Sequence, residues 1–221
     1  RRARMGAGTR RALEAVAGCC PVAIITGRAL SDVRARVPIR GISFVGNHGL
    51  ELSIRGKIHR VQLPKISQRA LETIRAHMRS LGRRYKWMYF EDKEYSLSVH
   101  YRHVPRSKHA AIRGEVLKAA KATGNLRIVH GIYVLNILPG VRRDKGTAAR
   151  EMYATLSRGK KKAPVFIGDD VTDEDAFRAF RSGITIRVGK SPSSAARYYF
   201  KGRSGVDTFL RAISAATPSK A

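Results

Sequence analysis

A buried strand that leads through an acidic turn into a helix constrains the fold of this chain more than any other stretch. Residues 163–167 are apolar and rich in β-branched and aromatic side chains, which is typical of a strand in a parallel sheet. Residues 168–177 follow as Gly-Asp-Asp-Val-Thr-Asp-Glu-Asp-Ala-Phe. We predict that Thr172 caps a helix that carries Phe177 and Phe180 on one face.

The acidic turn is unusual in so basic a chain. Five of the 16 acidic residues lie within positions 168–177, although the formal net charge is +28. Helix capping alone would explain the carboxylates from Asp173 onward, because the helix dipole favours anions in the first turn. It does not explain Asp169 and Asp170, whose adjacent charges repel unless a cation or donors hold them. Oxygen ligands at the carboxyl edge of a parallel sheet suit Mg²⁺, so we favour a magnesium site over capping alone.

Length and composition limit the remaining possibilities. A chain of 221 residues that is 43% hydrophobic can bury one full core and a smaller module. No apolar run approaches the ~20 residues that span a bilayer, so we expect no membrane partner. Cys19 and Cys20 are adjacent and form neither a disulfide framework nor a zinc spacing. We therefore expect them to pack at a helix end, in a protein of the reducing cytoplasm.

The positive charge raises the question of a nucleic-acid partner. Arginine and lysine are spread along the whole chain, the longest basic run is residues 160–162, and aromatic residues make up only 7%. These features predict no specific nucleic-acid partner, although a large positive field favours polyanions. A basic surface would also attract a phosphorylated substrate.

The order of strand and helix patterns predicts an α/β fold with two domains. Its core is doubly wound, mostly parallel and Rossmann-like, and comprises residues 1–51 and 141–221. An α/β cap domain is inserted at residues 52–140. The cap is predicted from a hairpin, two helices and four further strands, at residues 51–60, 67–81 and 108–122, and 87–93, 95–102, 126–130 and 132–138.

Two more positions in the core suit anion binding. The strand at 21–25 ends in Thr26, Gly27 and Arg28, which offer a hydroxyl and backbone N–H groups before the next helix. Taken alone, these three residues favour an ordinary strand-to-helix turn over an anion site. We predict that Asp144 caps a helix that begins with Lys145. A cation at the positive end of a helix gains nothing from the dipole, so Lys145 more naturally faces a phosphate.

Candidate sugar contacts lie in the cap. Glu91 and Lys93 alternate on a predicted strand, so they would project an acceptor and a donor to one face. A cross-strand ion pair is the alternative, and the spacing alone favours it. At the end of the strand at 42–46, His48 suits a structural role as well as a functional one.

These motifs together resemble a known family. Residues 168–177 resemble the fourth motif of trehalose-6-phosphate phosphatases, a branch of the haloacid-dehalogenase-like phosphohydrolases. Thr26-Gly27-Arg28 resembles the second motif, and Lys145 resembles the lysine of the third. Residues 46–51, Gly-Asn-His-Gly-Leu-Glu, are similar to the family's segment between core and cap.

The resemblance implies a Mg²⁺-dependent phosphatase that hydrolyses trehalose 6-phosphate to trehalose and phosphate through an aspartyl-phosphate. Asp169 would ligate the metal. The implied catalytic residues are Thr26, Lys145, Asp170 and Asp173, and the implied substrate-binding residues are Arg28, Asn47, His48, Glu91, Lys93 and Asn136. Many relatives have a glutamate where Asn136 stands, which leaves the exact sugar open.

One family motif is missing. The resemblance implies an Asp-x-Asp-Gly-Thr segment on a central strand before Thr26, yet the first aspartate of this sequence is Asp32. We therefore expect a truncated sequence that is inactive as written. The absent strand would contribute ~10 kcal/mol of burial, so we also expect poor folding.

Several functional alternatives remain. They are a phosphatase for another sugar phosphate, a non-catalytic sugar-phosphate-binding or regulatory domain, and a nucleic-acid-binding protein. The resemblance also leaves room for fusion or association with a trehalose-phosphate synthase.

Overall fold

The computed structural model describes residues 5–159 and 162–217, and it divides into two compact units. The first comprises the described parts of Arg1–Arg60 and Arg143–Ala221, and the second is Val61–Arg142. Both combine helices with sheets, which confirms the predicted α/β class. Among the described residues, no helix has the length and apolar character that crossing a membrane requires.

The first sheet of the first unit contains four strands in the order β1-β2-β3-β4. β1 is parallel to β2, whereas β3 and β4 continue the sheet as an antiparallel hairpin. We predicted that this hairpin opens the cap at residue 52. In the structure it pairs with β2 and so belongs to the first unit. Val45 of β2 and Leu52 of β3 are buried together in one cluster with Ala148 and Met152. The second unit begins only at Val61. The strands are Ala23–Ile25, Ser43–Gly46, Glu51–Ile54 and Lys57–Arg60, and the accompanying helices are α1 (Ala7–Cys19) and α2 (Leu30–Arg36).

The second sheet of this unit is fully parallel, with the order β11-β10-β9. Its outer strand β9 is not hydrogen-bonded to β1 of the first sheet. A cluster of Ala149, Ala176 and Phe180 packs against Ile25 of β1 and also against Phe166 of β9. Both sheets therefore contact the same helical surface. The elements are α5 (Lys145–Ser157), β9 (Val165–Gly168), α6 (Glu174–Ala179), β10 (Ile184–Val188), β11 (Tyr198–Phe200) and α7 (Arg203–Ala216).

The second unit is an antiparallel sheet in the order β5-β6-β8-β7, covered on one face by α3 and α4. The side chains between sheet and helices are fully or nearly fully buried, and each contributes about 1.5–3 kcal/mol. They include Ile74, Met78, Leu97, Val99, Ile112, Val116, Leu135 and Ile137. The elements are α3 (Lys65–Arg84), β5 (Tyr89–Asp92), β6 (Leu97–His100), α4 (His109–Thr123), β7 (Leu126–Gly131) and β8 (Val134–Pro139).

Two strands of the second unit are shorter than predicted. β5 ends at Asp92 and β6 begins at Leu97, so Lys93 lies in the turn between them. Trp87 and Glu94 both have a φ of +67°, in the left-handed region, which interrupts extended backbone. The alternation of hydrophobic residues did not reveal these two positions.

Candidate active site

Thr26 stands at the carboxyl end of β1 with its backbone tied into the sheet. Its N–H donates to the carbonyl of Val45 at 2.9 Å. Its hydroxyl oxygen accepts the N–H of Arg28 at 3.2 Å, which leaves the hydroxyl proton available to a further acceptor. A phosphoryl oxygen is such an acceptor.

A strained turn after β2 is held against the Thr26 loop. Asn47 and His48 have φ values of 54° and 57°, and Gly49 follows at 103°. Each strained non-glycine residue costs about 1–3 kcal/mol unless its surroundings enforce it. Here the N–H of His48 donates to the Thr26 carbonyl at 3.1 Å, and the N–H of Asn47 donates to the Arg28 carbonyl at 2.6 Å. The His48 ring lies so close to Gly27 that a Cβ there would overlap it. The structure thus brings Thr26 and His48 together.

The side chains of Asn47 and Arg28 are engaged within the protein. Asn47 Nδ2 donates to Glu51 Oε2 at 3.4 Å, and the same carboxylate oxygen accepts the N–H of Leu30 at 3.3 Å. The Arg28 guanidinium pairs with Asp32 at 2.9 Å. Burial raises the pKa of Asp32, but hydrogen bonds and charge from Arg28 and Arg36 outweigh it and hold that pKa below its ordinary value. Roles for Asn47 and Arg28 toward a substrate stay predictions.

The start of α5 adjoins the same turn. Asp144 caps this helix, as predicted, by accepting the N–H of Thr147 at 2.7 Å. Arg143 Nε donates to the carbonyl of Gly49 at 2.7 Å, which ties the helix start to the His48 turn. At Gly146 a Cβ would overlap the backbone carbonyl of Asp175, so α5 and the acidic motif approach closely.

Lys145 and Asp173 form a buried ion pair. Lys145 Nζ lies 2.8 Å from Asp173 Oδ1, and the two side chains are 8% and 7% exposed. The second oxygen of Asp173 accepts the N–H groups of Asp169 at 3.0 Å and Asp170 at 2.9 Å. One hydrogen-bonded network therefore joins Lys145, Asp173 and the backbone of the acidic turn.

Asp170, not Thr172, provides the cap in the acidic turn. Asp170 Oδ1 accepts the N–H of Val171 at 2.7 Å and starts a 3₁₀ turn, Val171–Asp173. Thr172 lies inside that turn and donates its hydroxyl to Asp170 at 3.3 Å. The prediction for Thr172 is wrong because the extra turn delays the start of α6 to Glu174.

Asp169 differs from its acidic neighbours. Within the part of the chain that the structure describes, its carboxylate receives no hydrogen bond from the protein, and the residue is exposed. Its backbone is nevertheless held on both sides, by Asp173 at the N–H and by Arg187 at the carbonyl. No three potential metal ligands of the described chain converge on one point. Mg²⁺ commonly uses one or two carboxylates and completes its shell with water and substrate phosphate, so Asp169 fits a site of that open kind.

Glu174 and Arg187 form a second network that the sequence did not indicate. Arg187 Nη1 pairs with Glu174 at 2.7 Å, and its Nη2 donates to the Asp169 carbonyl at 3.2 Å. Glu174 also accepts from the Ser194 hydroxyl and the Ala195 N–H, each at 2.7 Å. Burial raises the pKa of Glu174, but the donors Ala195, Ser194 and Arg187 outweigh it and hold the pKa below its ordinary value. The network fixes the backbone that carries Asp169.

All three predicted sugar contacts lie in the second unit, and two of them, Glu91 and Asn136, lie on its sheet face opposite the helices. Glu91, Ser98 and Asn136 stand directly across from one another on three adjacent strands. Glu91 Oε2 lies 3.2 Å from His100 Nε2. Asn136 accepts from the Ser98 hydroxyl at 2.7 Å and donates to the Val129 carbonyl at 3.4 Å. Glu91 and Asn136 share a row, whereas Lys93 lies beyond the end of β5.

Solved structures share this fold. One described as a trehalose-6-phosphate phosphatase related protein superposes with a TM-score of 0.80 over 97% of this chain and 89% of that chain, at 20% identity. The C-terminal domain of the trehalose-6-phosphate phosphatase of C. albicans superposes with a TM-score of 0.79 over 97% of this chain and 85% of that chain, at 17% identity. These likenesses establish the class of fold.

The family follows from sequence. The family model of trehalose-phosphatase matches residues 1–203, and the chain belongs to this family, which confirms the resemblance. It is 35% identical over 186 residues to a trehalose-phosphate phosphatase of Mycobacterium ulcerans (strain Agy99), covering 82% of this chain and 47% of that protein. It is also 33% identical to trehalose 6-phosphate phosphatase RA3 of Zea mays, over 96% of this chain and 64% of that protein. The chain thus spans about half the length of the mycobacterial relative.

Proposed function

We propose that this chain is the phosphatase region of an enzyme that hydrolyses trehalose 6-phosphate to trehalose and phosphate with Mg²⁺. Family membership supports the reaction class. The observation that carries the proposal is the chain of contacts from Thr26 through His48, Gly49 and Arg143 to Lys145, which continues through Asp173 to Asp169. A hydroxyl, an ammonium and an exposed carboxylate are thereby tied to one region.

Each of the three groups would have a separate task. The Thr26 hydroxyl and the Lys145 ammonium would bind phosphoryl oxygens and offset their charge. Lys145 has three N–H donors, so its pair with Asp173 leaves donors for a phosphate. Asp169 would hold Mg²⁺, and the bound metal would neutralise charge on the phosphate. Asp170 and Asp173 would lie in or near the coordination shell of the metal. Glu91, Lys93 and Asn136 would contact the sugar, with Asn136 held by Ser98 in an uncharged polar role.

Hydrolysis through an aspartyl-phosphate needs a nucleophilic aspartate, and none precedes Asp32 in the printed sequence. We therefore propose that these 221 residues bind the sugar phosphate without hydrolysing it. Two free cysteines support a reducing, cytoplasmic setting. A synthase as fused or associated partner remains part of the proposal.

Phosphate release from trehalose 6-phosphate and from sucrose 6-phosphate tests the reaction. The DNA upstream of the codon for Arg1 is read first, and any in-frame Asp-x-Asp-Gly-Thr segment is included in an extended chain. We expect the extended chain to hydrolyse trehalose 6-phosphate faster than sucrose 6-phosphate and to need Mg²⁺. The 221-residue chain alone should release no phosphate from either substrate. Equal rates on both substrates would overturn the sugar assignment.

A separate experiment tests whether the 221-residue chain binds trehalose 6-phosphate. Trehalose 6-phosphate should raise the melting temperature of the native chain, and Lys145→Met should remove that shift because the ammonium is lost. Lys57→Met, on exposed strand β4, is the matched control and should retain it. A shift that survives Lys145→Met would contradict the proposed phosphate site.

A further inference from the structure

Two thiols stand side by side at the end of α1. Cys19 is the last residue of this helix and Cys20 is its C-terminal cap. Their Sγ atoms are 3.7 Å apart, with Cys19 buried and Cys20 half-buried. Both are free thiols, and the sequence contains no other cysteine.

A disulfide between these two neighbours is disfavoured. Consecutive Cα atoms across a trans peptide are about 3.8 Å apart. An unstrained disulfide needs a Cα separation of about 4.4–6.8 Å. The pair therefore tends to remain a dithiol. Two thiols so close together can both bind a single thiophilic atom.

The sulfur separation suits such a shared centre. Two sulfurs bound at about 2.3 Å to one atom lie about 3.3–3.8 Å apart for bond angles between roughly 90°, as at a pyramidal centre, and 110°, as at a tetrahedral one. The 3.7 Å between Cys19 and Cys20 falls within this range. No group of three potential metal ligands occurs among residues 5–159 and 162–217, so a closed zinc site has no support. The acceptor that fits is one that needs only two sulfurs.

We propose that Cys19 and Cys20 form a dithiol site that captures organic trivalent arsenicals. In an arsenoxide R–As=O the third position is already filled by carbon. Two As–S bonds form and the As=O bond breaks, while the two thiol protons leave with the oxygen as water. Arsenic and sulfur keep their oxidation states, so no oxidant or reductant is required.

The surroundings of the pair distinguish this capture from ordinary thiol chemistry. Burial raises the pKa of the Cys19 thiol, and its contact with Cys20 raises it further, so Cys19 carries little thiolate at neutral pH. A reagent that attacks single thiols should therefore modify Cys20 first. An arsenical bound at Cys20 is then held beside Cys19, and ring closure becomes intramolecular. This site is independent of the proposed phosphatase function.

Phenylarsine oxide and the native 221-residue chain test the proposal. We expect one phenylarsenic group per chain by intact mass and the loss of both titratable thiols. The adduct should survive excess monothiol but be released by a small dithiol. Cys20→Ser changes a half-buried position, and its melting temperature verifies folding; it should form no adduct that survives monothiol. Two titratable thiols remaining in the treated native chain, or an equally durable adduct on Cys20→Ser, would overturn the proposal.

Discussion

The ion pair of Lys145 and Asp173 is the most buried charge interaction at the candidate site. Both partners are withdrawn from water, and Asp173 also satisfies two backbone N–H groups of the acidic turn. Removing either partner leaves the other charge buried, which is costly. The two removals differ in what else they leave without a partner.

Asp173→Ala should destabilise the protein by about 3–5 kcal/mol, because it strands the buried ammonium and two amides. Lys145→Met should cost less, since the carboxylate keeps both amide donors. Urea unfolding of the two variants measures the difference. Equal costs, or a larger cost for Lys145→Met, would show that the amides of Asp169 and Asp170 do not depend on Asp173.

Glu174→Gln should lower the free energy of unfolding at pH 7 by about 1.5–3 kcal/mol, because charged hydrogen bonds are lost. The folded-state pKa of Glu174 is lowered, so its stabilisation is complete above the ordinary pKa of about 4.3 and is lost as the pH falls through the folded value. The wild type and the variant should therefore converge in strong acid.

Urea midpoints at pH 7 and at successively lower pH measure this convergence. Glu14→Gln removes a partly exposed ion pair with Arg10 and is the control, with an expected cost of less than about 1 kcal/mol. A stability difference for Glu174→Gln that does not change with pH would refute the linkage.

The local sequence predicted only some of the side-chain interactions at the candidate site. The cap at Asp144 and the carboxylate cluster could be predicted because capping and charge repulsion act between neighbours in the chain. The pairs of Lys145 with Asp173 and of Arg187 with Glu174 join residues 28 and 13 positions apart. They arise only when α5 and β10 pack beside the acidic turn. Arg187 gave no local signal, because a charged residue at a strand end is ordinary.

At the scale of elements, the contact between α5 and the acidic motif depends on a glycine. Gly146→Ala should cost about 1–3 kcal/mol, because its Cβ would overlap the backbone carbonyl of Asp175, which cannot rotate away. Gly18→Ala, in α1 of the same unit, is the matched control. No atom lies within 4 Å of the Cβ position there, so alanine should stabilise by up to about 1 kcal/mol.

Thermal unfolding of both glycine variants provides the comparison. A neutral Gly146→Ala variant would mean that α5 and α6 can separate without loss. Opposite signs for the two substitutions would confirm that the close approach, and not helix propensity, decides the outcome.

Most elements could be predicted, but their boundaries and partners could not. Hydrophobic spacing located the helices of the second unit, because their inner faces must be apolar. The hairpin β3–β4 has the same pattern whether it joins one sheet or another, so its pairing with β2 could not be read from residues 51–60. Asn47 and His48 take left-handed backbone through hydrogen bonds to the Thr26 loop, which are tertiary contacts.

At the scale of the whole molecule, the net charge of +28 opposes folding through self-repulsion. Sodium chloride should raise the urea midpoint, since the Debye length falls from about 10 Å at 0.1 M to about 3 Å at 1 M. Potassium chloride at equal ionic strength should give the same shift. A midpoint that falls with salt would show that surface ion pairs outweigh the general repulsion.

The small side chains of Ala149 and Ala176 have a further consequence. Ile25 of β1 and Phe166 of β9 pack against the cluster that these alanines form with Phe180, so the volume of this cluster limits how closely the two strands approach. Alanine works here as a spacer of small volume between the two sheets. A larger side chain at either position would push β1 and β9 apart, although no residue that we propose to contact the substrate would be changed.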